Sequence, residues 1–150
     1  MTASTEILVI EDDPLDRELI TELLTLRGRG RISVSQAPDF QSAMALLTRQ
    51  GFDLVMLDTR LPDATALFAL RAIGEHAPLM PVLPHTSFLT PKARQCARER
   101  GAYDVVVRGD LNPMWSAVNK LLTLRALGAG EREADRPVLD RPVFDRAVGE

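Results

Sequence analysis

Short strand-like segments alternate with helix-like segments along most of the chain, and this alternation limits the possible folds more than any other feature. Five segments have the length and composition of buried strands: residues 7–10, 32–35, 54–57, 82–83 and 105–107. The segments between and after them carry apolar side chains at helical spacing. Five strands alternating with five helices predict an α/β protein, in which a doubly wound parallel sheet is covered by helices on both faces.

Capping residues indicate where the helices begin. Asp13, followed by a proline, is the expected N-cap of the first helix, and Asp39 that of the second. A helix is also expected from about Thr65. Asn112, again followed by a proline, predicts the start of the last helix, which we expect to end at Leu127.

Composition narrows the class of protein further. The 150 residues are 45% apolar and 26% charged with a formal net charge of −3, which is typical of one globular domain. No apolar run reaches the roughly 18 residues of a membrane span, and the first residues lack the basic start of a signal peptide, so we expect a cytoplasmic protein. A single cysteine, Cys96, excludes an internal disulfide and a multi-cysteine zinc site. The mild acidity argues against nucleic-acid binding.

The chain divides into a sheet domain over residues 1–127 and a tail over residues 128–150. A five-residue unit that starts Asp-Arg-Pro-Val recurs in the tail, beginning at Asp135, at Asp140 and, in degenerate form, at Asp145. A period of five fits neither a helix nor a strand, and the prolines oppose a regular ladder. The tail is therefore either a disordered extension or an arm that docks on a partner or on a second copy of the chain. It is too short for a separate output domain.

Chemically compatible side chains follow four of the predicted strands, at the sheet edge where ligands bind in open parallel sheets. Glu11 and Asp12 follow the first strand, and Asp58 ends the third. Carboxylates this close raise one another's pKa unless a cation lies between them, and oxygen ligands favour Mg²⁺ or Mn²⁺. The other two strand ends supply hydroxyl groups and a guanidinium, those of Thr86, Ser87 and Arg108. Each residue alone is better explained as a helix cap or an ordinary strand-end residue, but the whole set suits a phosphoryl group.

The sequence resembles the receiver domains of two-component response regulators over residues 6–127, in order and without a large gap. Four segments carry the resemblance: ILVIEDDP at 7–14, DLVMLD at 53–58 followed by LP at 61–62, PVLPHTS at 81–87, and GA at 101–102 with VVVR at 105–108. They are similar to the family's acidic pair, its phosphoacceptor strand, its fourth strand with a hydroxyl and a small residue, and its last strand. The resemblance implies a flavodoxin-like (βα)5 fold with strand order 2-1-3-4-5.

The resemblance also implies a mechanism. Asp58 would accept a phosphoryl group from the phosphohistidine of a sensor histidine kinase or a histidine phosphotransfer protein, so the chain would be a bacterial signalling protein and not an enzyme. Glu11, Asp12, Asp58 and the backbone carbonyl of Arg60 would hold Mg²⁺, or Mn²⁺. Thr86 would then bind the phosphorylated aspartate and shift a two-state surface. Output would run through protein–protein contacts, including a possible homodimer through the last helix or the tail.

Four positions depart from the family pattern. Arg108, followed by glycine, stands where the family has a lysine followed by proline; it keeps the charge but is bulkier and planar. Val105 replaces the usual aromatic residue, and Thr65 with the following alanine replaces Asp-Gly beside the site. Pro84 removes a ladder donor from the fourth strand, which we therefore expect to be short or distorted. We expect His85 to pack in the sheet with one hydrogen bond; the alternative is a pH-sensitive residue.

Two other functions compete with a phosphorylated regulator. A pseudo-receiver would use the same fold as a binding or dimerisation module without phosphorylation. An aspartyl-nucleophile phosphatase of the haloacid dehalogenase type is disfavoured because Arg60 stands where those enzymes place a second aspartate. Flavin binding is disfavoured because the acidic residues after the first strand would repel the cofactor's phosphate.

Overall fold

The computed structural model describes residues 4–129 as strands and helices in strict alternation. The elements are β1 Thr5–Ile10, α1 Pro14–Gly28, β2 Ile32–Ala37, α2 Phe40–Arg49, β3 Leu54–Asp58, α3 Ala66–His76, β4 Val82–Thr86, α4 Pro91–Glu99, β5 Val106–Val107 and α5 Leu111–Ala129. The strands pair in parallel in the order β2-β1-β3-β4-β5, which confirms the predicted class and topology. The predicted repeat from residue 135 onward lies outside the described residues. Over residues 4–129, no helix is long and apolar enough to cross a membrane.

The central strands β1 and β3 are buried on both faces because their alternate side chains enter two separate cores. Leu8, Val55 and other residues on one face pack with side chains of α2 and α3. Ile7, Leu54 and Met56 on the other face pack with side chains of α1 and α5. Burial on both faces makes the strands continuous apolar runs, which end where the polar residues of the carboxyl edge begin.

The predicted caps of the first two helices are confirmed, but the predicted start of the last helix is wrong. The Asp13 side chain accepts from two amides of the first turn of α1, and Asp39 accepts from the Ser42 amide at the start of α2. Helix α5 begins one residue before Asn112 and extends two residues beyond the predicted end. Asn112 does not cap because its Oδ1 accepts a 2.9 Å hydrogen bond from Arg27 of α1. A tertiary contact thus takes the place of a local cap.

Pro84 shortens the neighbouring strand and leaves its own strand intact, contrary to the prediction. Strand β4 pairs along β3 from Val82 onward, with Pro84 in register opposite Leu57. The Val82 carbonyl accepts from the Tyr103 amide and the Thr86 carbonyl from the Arg108 amide, both on the β5 side of β4. Because alternate residues of a strand direct their backbone groups to the same side, an N–H at position 84 would also point toward β5. Pairing with β5 starts only at His85, and β5 has two residues. The missing donor therefore falls where no ladder is formed.

The apolar stripe of α5 covers the sheet. Val118 and Leu121 are buried, and Trp115 and Leu122 pack against the same core. The predicted homodimer through this helix stays a prediction.

Two glycines at helical positions offer a matched test of packing. A Cβ on Gly28 would lie 2.7 to 2.9 Å from three atoms of the Ile32 side chain, whereas a Cβ on Gly74 would meet nothing within 4 Å. Overpacking costs about 1–3 kcal/mol, and replacing an unconstrained helical glycine by alanine gains up to about 1 kcal/mol. We expect Gly28→Ala to lower the free energy of unfolding in urea and Gly74→Ala to raise it. Equal effects of the two variants would contradict the packing at Ile32.

Candidate functional site

Three fully buried polar side chains meet at the carboxyl edge of the sheet. Glu11 follows β1, Asp58 ends β3 and His85 lies in β4, and one ligand atom from each falls within 4.8 Å of the others. The three strands are neighbours, which is why residues 74 positions apart in sequence make contact. Asp12, the other member of the predicted acidic pair, is exposed at the rim of the same pocket. The predicted convergence of Glu11 with Asp58 is thus present in the structure.

Arg108 supplies the positive charge of the pocket. Its Nη2 donates a short hydrogen bond to Asp58 Oδ1 and lies 3.5 Å from Glu11 Oε1, while its Nη1 lies 3.4 Å from Asp16 Oδ2 in the first turn of α1. Although burial opposes its charge, these three carboxylates raise the pKa of Arg108 above its ordinary value. The planar guanidinium reaches three acidic groups at once, which a compact ammonium does less well.

The two carboxylate oxygens of Asp58 have different surroundings. Oδ1 accepts from the Arg60 amide at 2.9 Å and from Arg108. Oδ2 is buried and has no hydrogen-bond partner among the described residues. Burial raises the pKa of Asp58 to about 7, opposed by the Arg60 amide and reinforced by the carboxylates of Glu11 and Asp12. A buried oxygen without a partner is a place where a cation or an electrophile can bind.

The donor set of the pocket fits a divalent cation. Glu11, Asp12 and Asp58 offer carboxylate oxygens, the ligand type that Mg²⁺ and Mn²⁺ prefer. The partnerless Asp58 Oδ2 lies among them, as an orphaned acceptor that such an ion would satisfy. Arg108 balances part of the negative charge without occupying this oxygen.

His85 holds Glu11 in place. Its Nε2 lies 2.8 Å from Glu11 Oε1, and the other Glu11 oxygen accepts from the Asp13 amide at 3.1 Å. Burial lowers the pKa of His85 to about 4, so the ring is neutral near pH 7 and donates through Nε2. Burial also raises the pKa of Glu11. The single hydrogen bond expected for His85 is present, but the sequence did not predict that Glu11 is its acceptor. The one indication in the sequence was that His85 lies near the end of a predicted strand, at the same sheet edge as Glu11.

The hydroxyl of Thr86 is turned toward its own loop. It donates to the Phe88 carbonyl at 3.3 Å and accepts from the Phe88 amide at 3.4 Å. Ser87 is exposed. The structure therefore brings Glu11, Asp58 and Arg108 into direct contact, whereas Thr86 and Ser87 lie at the end of β4 without a hydrogen bond to Asp58.

Two departures from the family pattern can be located in the structure. Val105 is buried immediately before β5. Thr65 is the N-cap of α3, and its Oγ1 accepts from the Phe68 amide at 3.1 Å.

The fold and this acidic pocket are those expected of a receiver-type signalling module, and comparisons with known proteins agree on this class. The model of the response regulator receiver domain matches residues 7–114. The chain is 32% identical over 142 residues to the response regulator protein PilR of Pseudomonas aeruginosa, covering 94% of this chain and 31% of PilR. It resembles the crystal structure of the receiver domain of NtrX from Brucella abortus, with a TM-score of 0.71 and 26% identity over 78% of this chain and 98% of that one.

A further solved structure is TrrA from Thermotoga maritima in complex with Mg²⁺-BeF, with a TM-score of 0.69 and 24% identity over 78% of this chain and 98% of that chain. The chain belongs to the response regulator receiver domain family. Receiver domains are phosphoacceptor signalling modules rather than catalytic enzymes; they bind Mg²⁺ at an acidic pocket and partner with histidine kinases. The chain spans less than half the length of PilR and of several other curated relatives.

The buried Asp58 carboxylate should make stability depend on pH. A pKa raised to about 7 in the folded state means that Asp58 stabilises the fold most when protonated, and that this contribution is lost as the pH rises through about 7. At pH 8 in chelator-treated buffer, we expect Asp58→Asn to unfold at a higher temperature than the wild type, with a free energy of unfolding greater by about 1–2 kcal/mol. The difference should shrink toward pH 4. A constant difference across this range would contradict the assignment.

Removing the partner of Glu11 should be costly. His85→Leu leaves a buried carboxylate oxygen short of a donor, a loss of about 1–3 kcal/mol, whereas His85→Gln keeps a side-chain donor and should lose less. Urea unfolding of the two variants at pH 7 measures the difference. If His85→Leu were as stable as His85→Gln, the hydrogen bond to Glu11 would contribute nothing.

Proposed function

We propose that the chain is a cytoplasmic response regulator receiver whose Asp58 accepts a phosphoryl group from the phosphohistidine of a sensor histidine kinase or a histidine phosphotransfer protein. One observation carries the proposal: Asp58 is fully buried at a strand end, with one oxygen held by Arg108 and the Arg60 amide and the other without a partner. A nucleophile fixed through one oxygen presents the other in a defined direction.

The transfer needs little covalent chemistry from the protein. A carboxylate oxygen of Asp58 attacks phosphorus, a P–O bond forms while the P–N bond of the donor breaks, and the electron pair leaves with the donor's imidazole. Arg108 donates to the pocket where negative charge develops on the phosphoryl oxygens. His85 stays neutral and keeps Glu11 oriented throughout.

Glu11, Asp12, Asp58 and the backbone carbonyl of Arg60 are the residues that would hold Mg²⁺ or Mn²⁺. When bound, the ion would neutralise charge on the transferring group. The Arg60 amide contributes by fixing Asp58 Oδ1, so the same residue would serve the site through both of its backbone groups.

Signalling would follow from Thr86 and Ser87. In the proposed phosphorylated state, Thr86 exchanges its bonds to Phe88 for one to the phosphoryl group, which draws the loop after β4 toward Asp58. The altered surface is read by a partner protein or by a second copy of the chain.

A pseudo-receiver remains the second candidate because of one observation. Arg108 already pairs with Asp58 and approaches Glu11 and Asp16, so the pocket has an internal cation even without a metal ion. In that function, the guanidinium locks the pocket closed and the fold serves as a binding module.

Intact-mass measurement after incubation with acetyl phosphate and Mg²⁺ tests the proposal. We expect one phosphoryl group on the wild type and none on Asp58→Asn, because Asp58 is the nucleophile. Arg108→Lys should retain labelling, and Arg108→Ala should slow it by on the order of tenfold or more. Wild-type protein without added mass, or with an addition that survives Asp58→Asn, would favour the pseudo-receiver.

Thermal unfolding with Mg²⁺ and beryllofluoride gives an independent test. The TrrA complex contains Mg²⁺ and beryllofluoride, and a ligand that binds only the folded state raises the unfolding temperature. We expect a rise for the wild type that Asp58→Asn abolishes. An unchanged midpoint would count against an acyl-phosphate site.

A further inference from the structure

The loop between β3 and α3, residues 59–65, is attached to the start of α2 by one side chain. Asp63 Oδ1 accepts from the Phe40 amide at 2.9 Å, and its Oδ2 accepts from the Gln41 amide at 3.0 Å. These two residues are the first of α2, so their amides have no acceptor within the helix. Asp63 therefore caps a helix that lies far from it in sequence: it is 23 positions from Phe40 and 22 from Gln41.

The side chain of the local N-cap, Asp39, does not bind the first two amides of α2, which Asp63 binds instead. Asp39 Oδ1 accepts from the third amide, that of Ser42, at 2.7 Å. The two aspartates thus satisfy the first three amides of the helix between them, and both carboxylates lie where the helix dipole favours negative charge. Asp39 belongs to the chain segment of α2, whereas Asp63 belongs to the loop that follows Asp58.

The same loop leads directly to the phosphoacceptor. The Arg60 amide donates to Asp58 Oδ1 at 2.9 Å, and Arg60 pairs with Thr65 in an antiparallel bridge that closes the loop. On the far side of the loop, Phe68 packs edge-on against Phe40, with ring centroids 5.5 Å apart. The backbone of residues 60–65 is therefore held at three points: at Asp58, across the bridge and at the start of α2.

We propose that Asp63 is a positioning residue for the Asp58 site: by capping α2, it holds the closed loop in which the Arg60 backbone orients Asp58. The metal part of this role rests on the proposed function, since the Arg60 carbonyl is one of the proposed ligands. The coupling is reciprocal, so movement of the loop also loosens or tightens the first turn of α2. Helix α2 thereby becomes part of the surface that responds to the state of Asp58.

Amide hydrogen exchange on the full chain in metal-free buffer tests the coupling without any ligand. Asp63→Ala removes both acceptors, Asp63→Asn keeps one side-chain oxygen, and Asp39→Ala is the matched control that removes the local cap of the same helix. We expect Asp63→Ala to speed exchange by about five- to tenfold in the first turn of α2 and also at Arg60 and Thr65, with Asp63→Asn in between. Asp39→Ala should speed exchange in α2 only.

Two results would overturn the proposal: loop exchange unchanged in Asp63→Ala, or loop exchange raised equally by Asp39→Ala. The first would make Asp63 a cap of α2 and nothing more, and the second would show only general loosening. Asp63→Asn decides the question if Asp63→Ala does not fold.

Mg²⁺ binding, followed by the rise in unfolding temperature with Mg²⁺ concentration, separates this proposal from the proposed function. We expect Asp63→Ala to weaken apparent Mg²⁺ affinity about three- to tenfold while Asp39→Ala leaves it unchanged. If the wild type binds no Mg²⁺, the metal site fails, but the exchange measurements still decide whether Asp63 positions the loop. If Mg²⁺ binds and both aspartate variants bind it like the wild type, the positioning role toward the metal fails.

Discussion

Charge balance around Asp58 is the constraint on which the rest of the site depends. Two fully buried carboxyl groups, those of Glu11 and Asp58, lie beside each other, and like charges removed from water repel strongly. Arg108 reaches both groups, and His85 gives Glu11 a neutral donor. The parallel sheet makes this assembly possible because it ends four neighbouring strands at one edge. His85 from β4 and Arg108 after β5 therefore offset the free-energy cost of burying the two carboxyl groups.

The choice of arginine at position 108 has consequences beyond the charge. Its second guanidinium nitrogen contacts Asp16, so the first turn of α1 joins the pocket. A guanidinium that contacts two carboxylates can bind a new anion through one nitrogen while the other nitrogen keeps its partner. A lysine ammonium has a single nitrogen and would have to leave its first partner. Retention of Asp16 would hold Arg108 near the pocket when Asp58 changes its charge. The departure from lysine is thus compatible with a site that exchanges ligands, although it also stabilises the pocket without one.

The sequence predicts the layers and the edge of this fold well because both depend on simple periodicity. Buried runs such as residues 54–57 require two covered faces, and their polar ends necessarily share one edge of a parallel sheet. Predictions failed where tertiary contacts replace local ones. Asn112 has the local pattern of an N-cap but pairs with Arg27, and Pro84 affects β5 instead of β4. No periodicity could indicate that His85 would meet Glu11, because that contact depends on side-chain direction at two separate strand ends.

The route by which this pocket can influence its surroundings follows from what its loops contact. The hydroxyl of Thr86 is hydrogen-bonded to the backbone of Phe88, so any movement of this hydroxyl toward Asp58 must break two hydrogen bonds of the loop after β4. The loop after β3, by contrast, is joined to Asp58 through Arg60 and to a second helix through Asp63. The site is therefore connected to the helices around it in two ways: through the contacts of this loop with α2, and through the pairing of Arg108 with Asp16 of α1.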